Sequence, residues 1–326
     1  MKTSIVLASY NGEQYLIEQL NSFLKQSILP DELIISDDNS NDGTDLIIDN
    51  FILIAPFKVI KAKNKYKGYN SNFENGFKYV TGDIIFISDQ DDVWKENKIE
   101  VVLNYFKNNA KCHVLIHDLD YCDEKLNPIN QTKIQRIKSF NPSLEGYVTG
   151  MATAMSKKFL DICLPLPKFI NYDIWIHYLA NYLNVKCVCF DSLALYRRHE
   201  SNATIDGNLN IPKKTSGLYY LKGNLFTSAI PSLEYQIQMM NYAKEHSLKY
   251  LDNTQVTFFN IDERIKNANK RQDIIQKRID IINKPFYNRF FSIIIFFLQG
   301  GYINFSGLKS AFRDMFYLIR NDQKNK

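Results

Sequence analysis

Two carboxylates one residue apart, Asp89 and Asp91 in Asp89-Gln90-Asp91, stand just past a short apolar run. Hard divalent cations take oxygen ligands, and a cation already holding a diphosphate needs few from the protein. A carboxylate-held Mn²⁺ or Mg²⁺ can neutralise the charge that builds on a departing diphosphate. The same residues also read as a solvated acidic turn. A second acidic cluster, Asp37-Asp38 with Asp42-Gly43-Thr44 after it, can accept the imino N–H of a pyrimidine base or cap the following helix. Ser9-Tyr10-Asn11-Gly12-Glu13 offers an aromatic ring to lie on a base, among polar neighbours, and is otherwise a plain strand-to-helix turn. Asp173, in Asn171-Tyr172-Asp173-Ile174-Trp175, places a carboxylate just before a helix, where an N-cap is the plain reading. His199 follows Tyr196-Arg197-Arg198 and is either structural or an imidazole ligand for Mn²⁺.

Alternating elements are needed to bring these groups together. The pattern predicts strands at 3–9, 33–36, 58–60 and 83–88, with helices over 13–27, 44–53 and 71–80 between them. A helix over 95–108, a strand at 113–116, a helix over 173–183 and strands at 185–190 and 192–198 complete the set. Residues 124–146 read as polar and irregular, and 146–155 as a strand or buried turn. Strand–helix alternation implies an α/β fold with a mostly parallel sheet. Ligands of such sheets bind beyond the carboxyl ends of the strands, where residues 9–13, 36–43 and 88–92 all fall.

Composition narrows the class. The chain has 326 residues, 45% of them hydrophobic and 23% charged, which excludes collagen-like and wholly disordered chains and allows two or three domains. Its five cysteines are scattered without a C-x-x-C, so a disulfide framework is not expected and a reducing cytoplasm fits. The first residues are too short an apolar run for a signal peptide and read as a strand. Residues 1–205 hold 22 Lys and Arg against 25 Asp and Glu, whereas 206–326 hold 18 against 10. The expected division is therefore a mildly acidic domain, 1–205, and a basic, mostly helical extension, 206–326, with a linker near 206–212. Helices are expected at 232–250 and 255–283. The apolar run Phe290–Leu298 is too short to span a bilayer; it reads as a membrane-interface element within 285–320 or as a core helix.

Taken together, "IVLASYNGEQYL", "PDELIISDDNSNDGT", "NKYKGYNSNFENG", "GDIIFISDQDDVW", "HDLDYCDE", "NYDIW" and "LYRRHESNAT" resemble the family-two inverting glycosyltransferases, in family order over residues 3–205. "SDQDDVW" with a late "YR-x-H-x-x-N" looks most like bacterial rhamnosyltransferases of surface polysaccharide synthesis. The resemblance implies the A-type nucleotide-sugar-binding fold, a Rossmann-like, mostly parallel sheet flanked by helices, here with a helical C-terminal extension. It implies that Tyr10 and Asp38 hold the nucleobase, with Ser9, Glu13 and Gln90 nearby, and that Lys67 reaches the diphosphate. Asp89 would contact the ribose side, Asp91 would ligate Mn²⁺ or Mg²⁺, and His199 would be a second metal or diphosphate contact. Asp173 would be the general base, and Asp118, Gly150 and Trp175 would border the sugar and acceptor. Tyr172 stands where many relatives have His, and Ile174 replaces a frequent Trp, which bears on the acceptor.

The expected reaction is transfer of a sugar from a dTDP- or UDP-linked donor, foremost dTDP-rhamnose, to a saccharide or lipid-linked saccharide at the inner face of the cell membrane. A UDP-hexose is the rival donor. A nucleotidyltransferase would need a Gly-rich phosphate loop with a basic residue, which residues 9–13 lack. A non-catalytic scaffold is the remaining alternative. Nucleic acid is not expected as a partner, and the tail helices suit a homodimer.

Overall fold

The structure is a computed structural model and describes residues 1–140, 143–199, 228–250, 259–305 and 307–324. The first half alternates regularly: β1 (Thr3–Ser9), α1 (Leu16–Leu24), β2 (Glu32–Asp37), α2 (Thr44–Ile54), β3 (Lys58–Lys63), α3 (Tyr69–Phe77) and β4 (Ile84–Ser88). There follow β5 (Val93–Trp94), α4 (Lys98–Asn108), β6 (Val114–Cys122), β7 (Pro128–Thr132), α5 (Lys133–Phe140), β8 (Thr153–Ser156), α6 (Lys157–Cys163), α7 (Tyr172–Leu183) and β9 (Lys186–Arg197). The strands form one sheet in the order β3-β2-β1-β4-β8-β6-β9-β5, with β7 paired to β6. Strands β1 to β4 run parallel, as do β6 and β9; β8 lies antiparallel between β4 and β6.

Ile5-Val6-Leu7, Leu33-Ile34-Ile35 and Ile84 to Ile87 are buried without alternation, as strands covered on both faces must be. Leu16, Leu20 and Phe23, at helical spacing on α1, bury against this sheet. Gly76 lets α3 approach β1: a Cβ there would lie 2.5 Å from Val6 Cγ1. Each buried Leu or Ile contributes about 1.5–3 kcal/mol of apolar transfer, so the sheet is the rigid platform for the loops at its edge.

Several elements depart from expectation. The polar stretch 124–146 contains β7 and α5, since pairing to β6 and a cap from Asp118 impose order that its sequence does not announce. Helix α6 was not expected either; Ser156 caps it, accepting from Phe159 N at 3.2 Å. The two strands expected at 185–198 are the single β9, with a register shift opposite Asp118. The linker expected at 206–212 lies outside the described residues, as do residues 255–258 of the expected helix 255–283. All five cysteines are free thiols.

The described residues form two compact units. Residues 1–199 lie in the first. The second holds α8 (Ile230–Leu248), α9 (Ile261–Ile282), α10 (Phe286–Leu298) and α11 (Leu308–Lys324). Its core includes Ile281, Ile293, Phe296, Tyr302 and Ala311. A buried bidentate pair joins Arg278 to Asp314 at 2.8 and 3.0 Å, and Tyr302 donates to the same carboxylate at 2.9 Å. Among the described residues no helix is long and apolar enough to cross a membrane.

Candidate active site

The loops after β1 and β2 are laced together by side chains. Asn11 N donates to Ser40 Oγ at 2.9 Å, and Gly12 N to Thr44 Oγ1 at 2.7 Å. Glu13 accepts from Gly43 N at 2.9 Å. Gln90 clasps the Tyr10 backbone, accepting from its N at 2.8 Å and donating to its O at 3.0 Å. Asp38 is buried and accepts from Asn64 Nδ2 and Gly68 N, both at 2.8 Å, which anchors the loop carrying Lys67. The result is an exposed Tyr10 ring with Lys67 Nζ 5.8 Å from its centroid. An aromatic face beside a cation suits a base and its phosphates. Ser9 needs correction as a nucleotide contact: its buried hydroxyl donates to Asp37 Oδ1 at 2.9 Å. Glu13, Gln90 and Asp38 each hold protein partners that tie the loops together.

Tertiary pairing makes the acidic centre. Val93 and Trp94 pair with Leu195 and Ala194 of β9, which carries the end of β9 to residues 89–92. His199 Nε2 then lies 2.9 Å from Asp91 Oδ2. Arg197, buried two residues earlier at the end of β9, donates from Nε to Asp91 O at 2.8 Å and also bonds Glu124 O and the Glu18 carboxylate. Its guanidinium sits 4.6 Å from the Tyr15 ring, and that ring lies 4.7 Å from His199. Behind the loop, the buried Lys98 donates to Met151 O at 2.8 Å and lies 3.7 Å from the Trp94 ring. Burial holds its ammonium well below the ordinary range, while Asp92 and Asp89 oppose that shift. Arg197, Tyr15, Glu124 and Lys98 escape a sequence reading. Arg197 and Arg198 are adjacent, and only the register of β9 decides which one turns inward.

Asp173 enters from a third direction. Asn70 fastens the start of α7 to α3, accepting from Tyr172 N and donating to Ile170 O, both at 2.8 Å. The Tyr172 ring packs 4.2 Å from Phe73. Asn171 occupies the cap position, and Asp173 lies in the first turn, accepting from Ile174 N at 2.8 Å. Burial raises the Asp173 carboxyl above its usual range. Gly150 is required under Tyr172, since a Cβ there would lie 1.9 Å from its hydroxyl. Asp118 is buried and caps α5 through Ile134 N at 2.9 Å. Trp175 is a correction: it is wholly buried and donates to Cys163 O at 2.9 Å, so it belongs to the core and not to a sugar site.

The carboxylates repel one another. Burial first, then the charges of Asp91 and Asp173, push the Asp89 carboxyl up to about 7. Carboxylate oxygens with one imidazole suit Mn²⁺ or Mg²⁺. Among the described residues no three His, Cys, Asp or Glu side chains are grouped to hold a metal unaided. Asp91 and His199 would hold it, with donor oxygens completing the shell. Asp89 supplies a pH test. Between about pH 4 and pH 7 the folded chain keeps a proton that the unfolded chain has lost, so stability falls as pH rises. Metal-free Asp89→Asn is expected to melt several degrees above the parent at pH 8, the gap closing towards pH 4, read by scanning calorimetry. A gap that does not vary with pH would remove Asp89 from the repelling cluster.

Residues 4–161 match the family described as glycosyl transferase family 2. That stretch is a family-2 glycosyltransferase domain. An uncharacterized glycosyltransferase of Nostoc sp. is 29% identical over 62% of this chain and 66% of its own length. The dTDP-rhamnosyl transferase RfbG of Shigella flexneri is 28% identical over 70% of this chain and 83% of its own. The UDP-Glc:alpha-D-GlcNAc-diphosphoundecaprenol beta-1,3-glucosyltransferase WfgD of Escherichia coli is 33% identical over 32% of this chain and 42% of its own. In three dimensions, S. aureus TarS 1–349, solved with UDP, superposes with a TM-score of 0.54 at 14% identity, covering 100% of this chain and 92% of its own. At that identity the likeness is one of fold, and it is the A-type glycosyltransferase fold. The family match to the transferase ends before Asp173 and His199, so the case for those two residues is geometric.

Proposed function

We propose that residues 1–205 of this glycosyltransferase catalyse metal-dependent, inverting transfer of a sugar from a nucleoside diphosphate to a hydroxyl of a saccharide or lipid-linked saccharide in surface polysaccharide synthesis. The observation that carries this is the meeting of three chain segments: the end of β4 with Asp89 and Asp91, the end of β9 with His199, and the start of α7 with Asp173. Tyr10 would lie on the base, Lys67 would reach the diphosphate and Asp89 would face the ribose. Asp91 and His199 would hold Mn²⁺ or Mg²⁺, which supplies charge neutralisation to the leaving diphosphate. Asp173 would take the proton from the acceptor hydroxyl as its oxygen attacks the anomeric carbon. One in-line displacement inverts that carbon and needs no enzyme nucleophile.

The donor we favour is dTDP-rhamnose, because the Shigella rhamnosyl transferase aligns over most of both chains. The E. coli relative supports the second reading, a UDP-hexose donor, and also a lipid-linked acceptor. Melting curves with dTDP, UDP, GDP or CMP, each with and without Mn²⁺, separate these readings. A ligand at 100 times its Kd adds about 2.7 kcal/mol of stability. A Mn²⁺-dependent rise larger for dTDP than for UDP is expected. The reverse order replaces the donor, and no rise with any nucleotide overturns the enzyme reading. In the same assay Asp91→Asn is expected to lose the Mn²⁺-dependent part of the rise and at least about a hundredfold in turnover. Turnover near the parent's would refute its metal role.

A further inference from the structure

Helix α10 is apolar on two faces. One face is accounted for, because Ile293 and Phe296 pack on Tyr302 within the core of the second unit. The other is not. Tyr287, Phe291, Ile295 and Leu298 follow one another at three- and four-residue steps, so they form a single stripe. They are 78%, 63%, 54% and 78% exposed. The neighbouring Ile303 and Leu308 are also largely exposed. Helix α9 makes the contrast. It buries Ile261, Ala268, Ile275, Ile279 and Ile282 and, apart from Arg278, turns its charged residues outward, as a helix facing water does. The outer face of α10 has no such polar cover.

Charge indicates what covers it. From residue 283 to 313 the chain has four basic side chains, Lys284, Arg289, Lys309 and Arg313, and no acidic one. The bases flank the stripe, two around the start of α10 and two in the first turns of α11. A helix of 13 residues is about 20 Å long and cannot cross a hydrocarbon core of about 30 Å. It can lie in the plane of the interface, with its apolar face among the acyl chains and its bases at the headgroups. A second protein copy would bring these same four basic side chains together, which like-charge repulsion disfavours.

We propose that the outer face of α10, with Ile303 and Leu308, is a docking surface for an anionic lipid bilayer. It holds the enzyme at the membrane plane. Its use rests on the lipid-linked acceptor proposed above; its geometry does not. The test is sedimentation of the full chain with phosphatidylcholine vesicles, with and without phosphatidylglycerol. Strong binding is expected only with the anionic lipid, weakening as salt rises. Neutralising one base, Lys309→Gln, is expected to lower the partition about fivefold. Phe291→Glu with Leu298→Glu, both at exposed positions, is expected to lower it by at least about tenfold with an unchanged melting temperature. A chain left in the supernatant with anionic vesicles overturns the proposal. So does binding that the Glu pair leaves intact, or a Glu pair that only dissolves a dimer in light scattering. Nucleotide melting shifts on the same preparations keep the two readings apart. A chain that responds to nucleotide but ignores vesicles sinks only the docking surface, and the converse sinks only the transferase chemistry.

Discussion

Asp173→Asn is expected to lower kcat by about a thousandfold while leaving nucleotide affinity within about twofold. General-base catalysis is worth roughly 10²–10⁴ in rate, and the amide cannot take the proton. The substitution is close to isosteric, and the amide oxygen can still accept from Ile174 N, so the first turn of α7 is kept. Nearby Asn70, which ties α7 to α3, is untouched. The pH profile adds a second readout. A base must be ionised to act, so kcat/KM rises with pH through its pKa. Burial moves that rise above the ordinary aspartate range near 4. The Asn variant should lose this limb altogether. Measuring dTDP or UDP binding by calorimetry beside turnover decides the matter. Equal loss of binding and turnover would make Asp173 structural.

Arg197→Met should be the most damaging single change to the scaffold of the site. The buried guanidinium satisfies the carbonyls of Asp91 and Glu124, contacts Tyr15 and reaches Glu18. Glu18 is about half exposed, so that ion pair is screened and contributes little. The larger loss comes from the two part-buried carbonyls, since a hydrogen bond from a charged group contributes about 1.5–3 kcal/mol. A fall of about 3 kcal/mol in unfolding free energy is expected, read from urea midpoints. Turnover should drop at least about tenfold even where the variant is fully folded, because the Asp91 backbone is no longer held beside His199. A change below about 1 kcal/mol with normal turnover would show that the loop keeps its shape without Arg197.

Much of the first unit was legible because its strands are continuous apolar runs ended by polar clusters. Ile84 to Ile87 could be little other than a buried strand, and Asp89-Gln90-Asp91 had to lie at its carboxyl end. The same logic placed Tyr10 after β1 and Asp38 after β2. What could not be read is how each side chain is engaged. Ser9 and Trp175 carry groups suited to a ligand, yet Asp37 and Cys163 O take them up inside the fold. Strand β7 lacks an apolar period and α5 offers only a short one, Ile134 and Ile137, so their order comes from β6 and from the Asp118 cap.

The sequence by itself determined the alternating sheet, the edge at which its loops gather and the chemical types gathered there. Local periodicity and the chemistry of a few side chains suffice for that, since both act within one turn or one strand. Only the tertiary structure decided which groups meet. The β5–β9 pairing brings His199 to Asp91 across more than a hundred residues of chain, and Asn70 brings Asp173 in from α7. Contacts so distant in sequence leave no local period, because they depend on sheet order and register, which exist only once the whole sheet has formed.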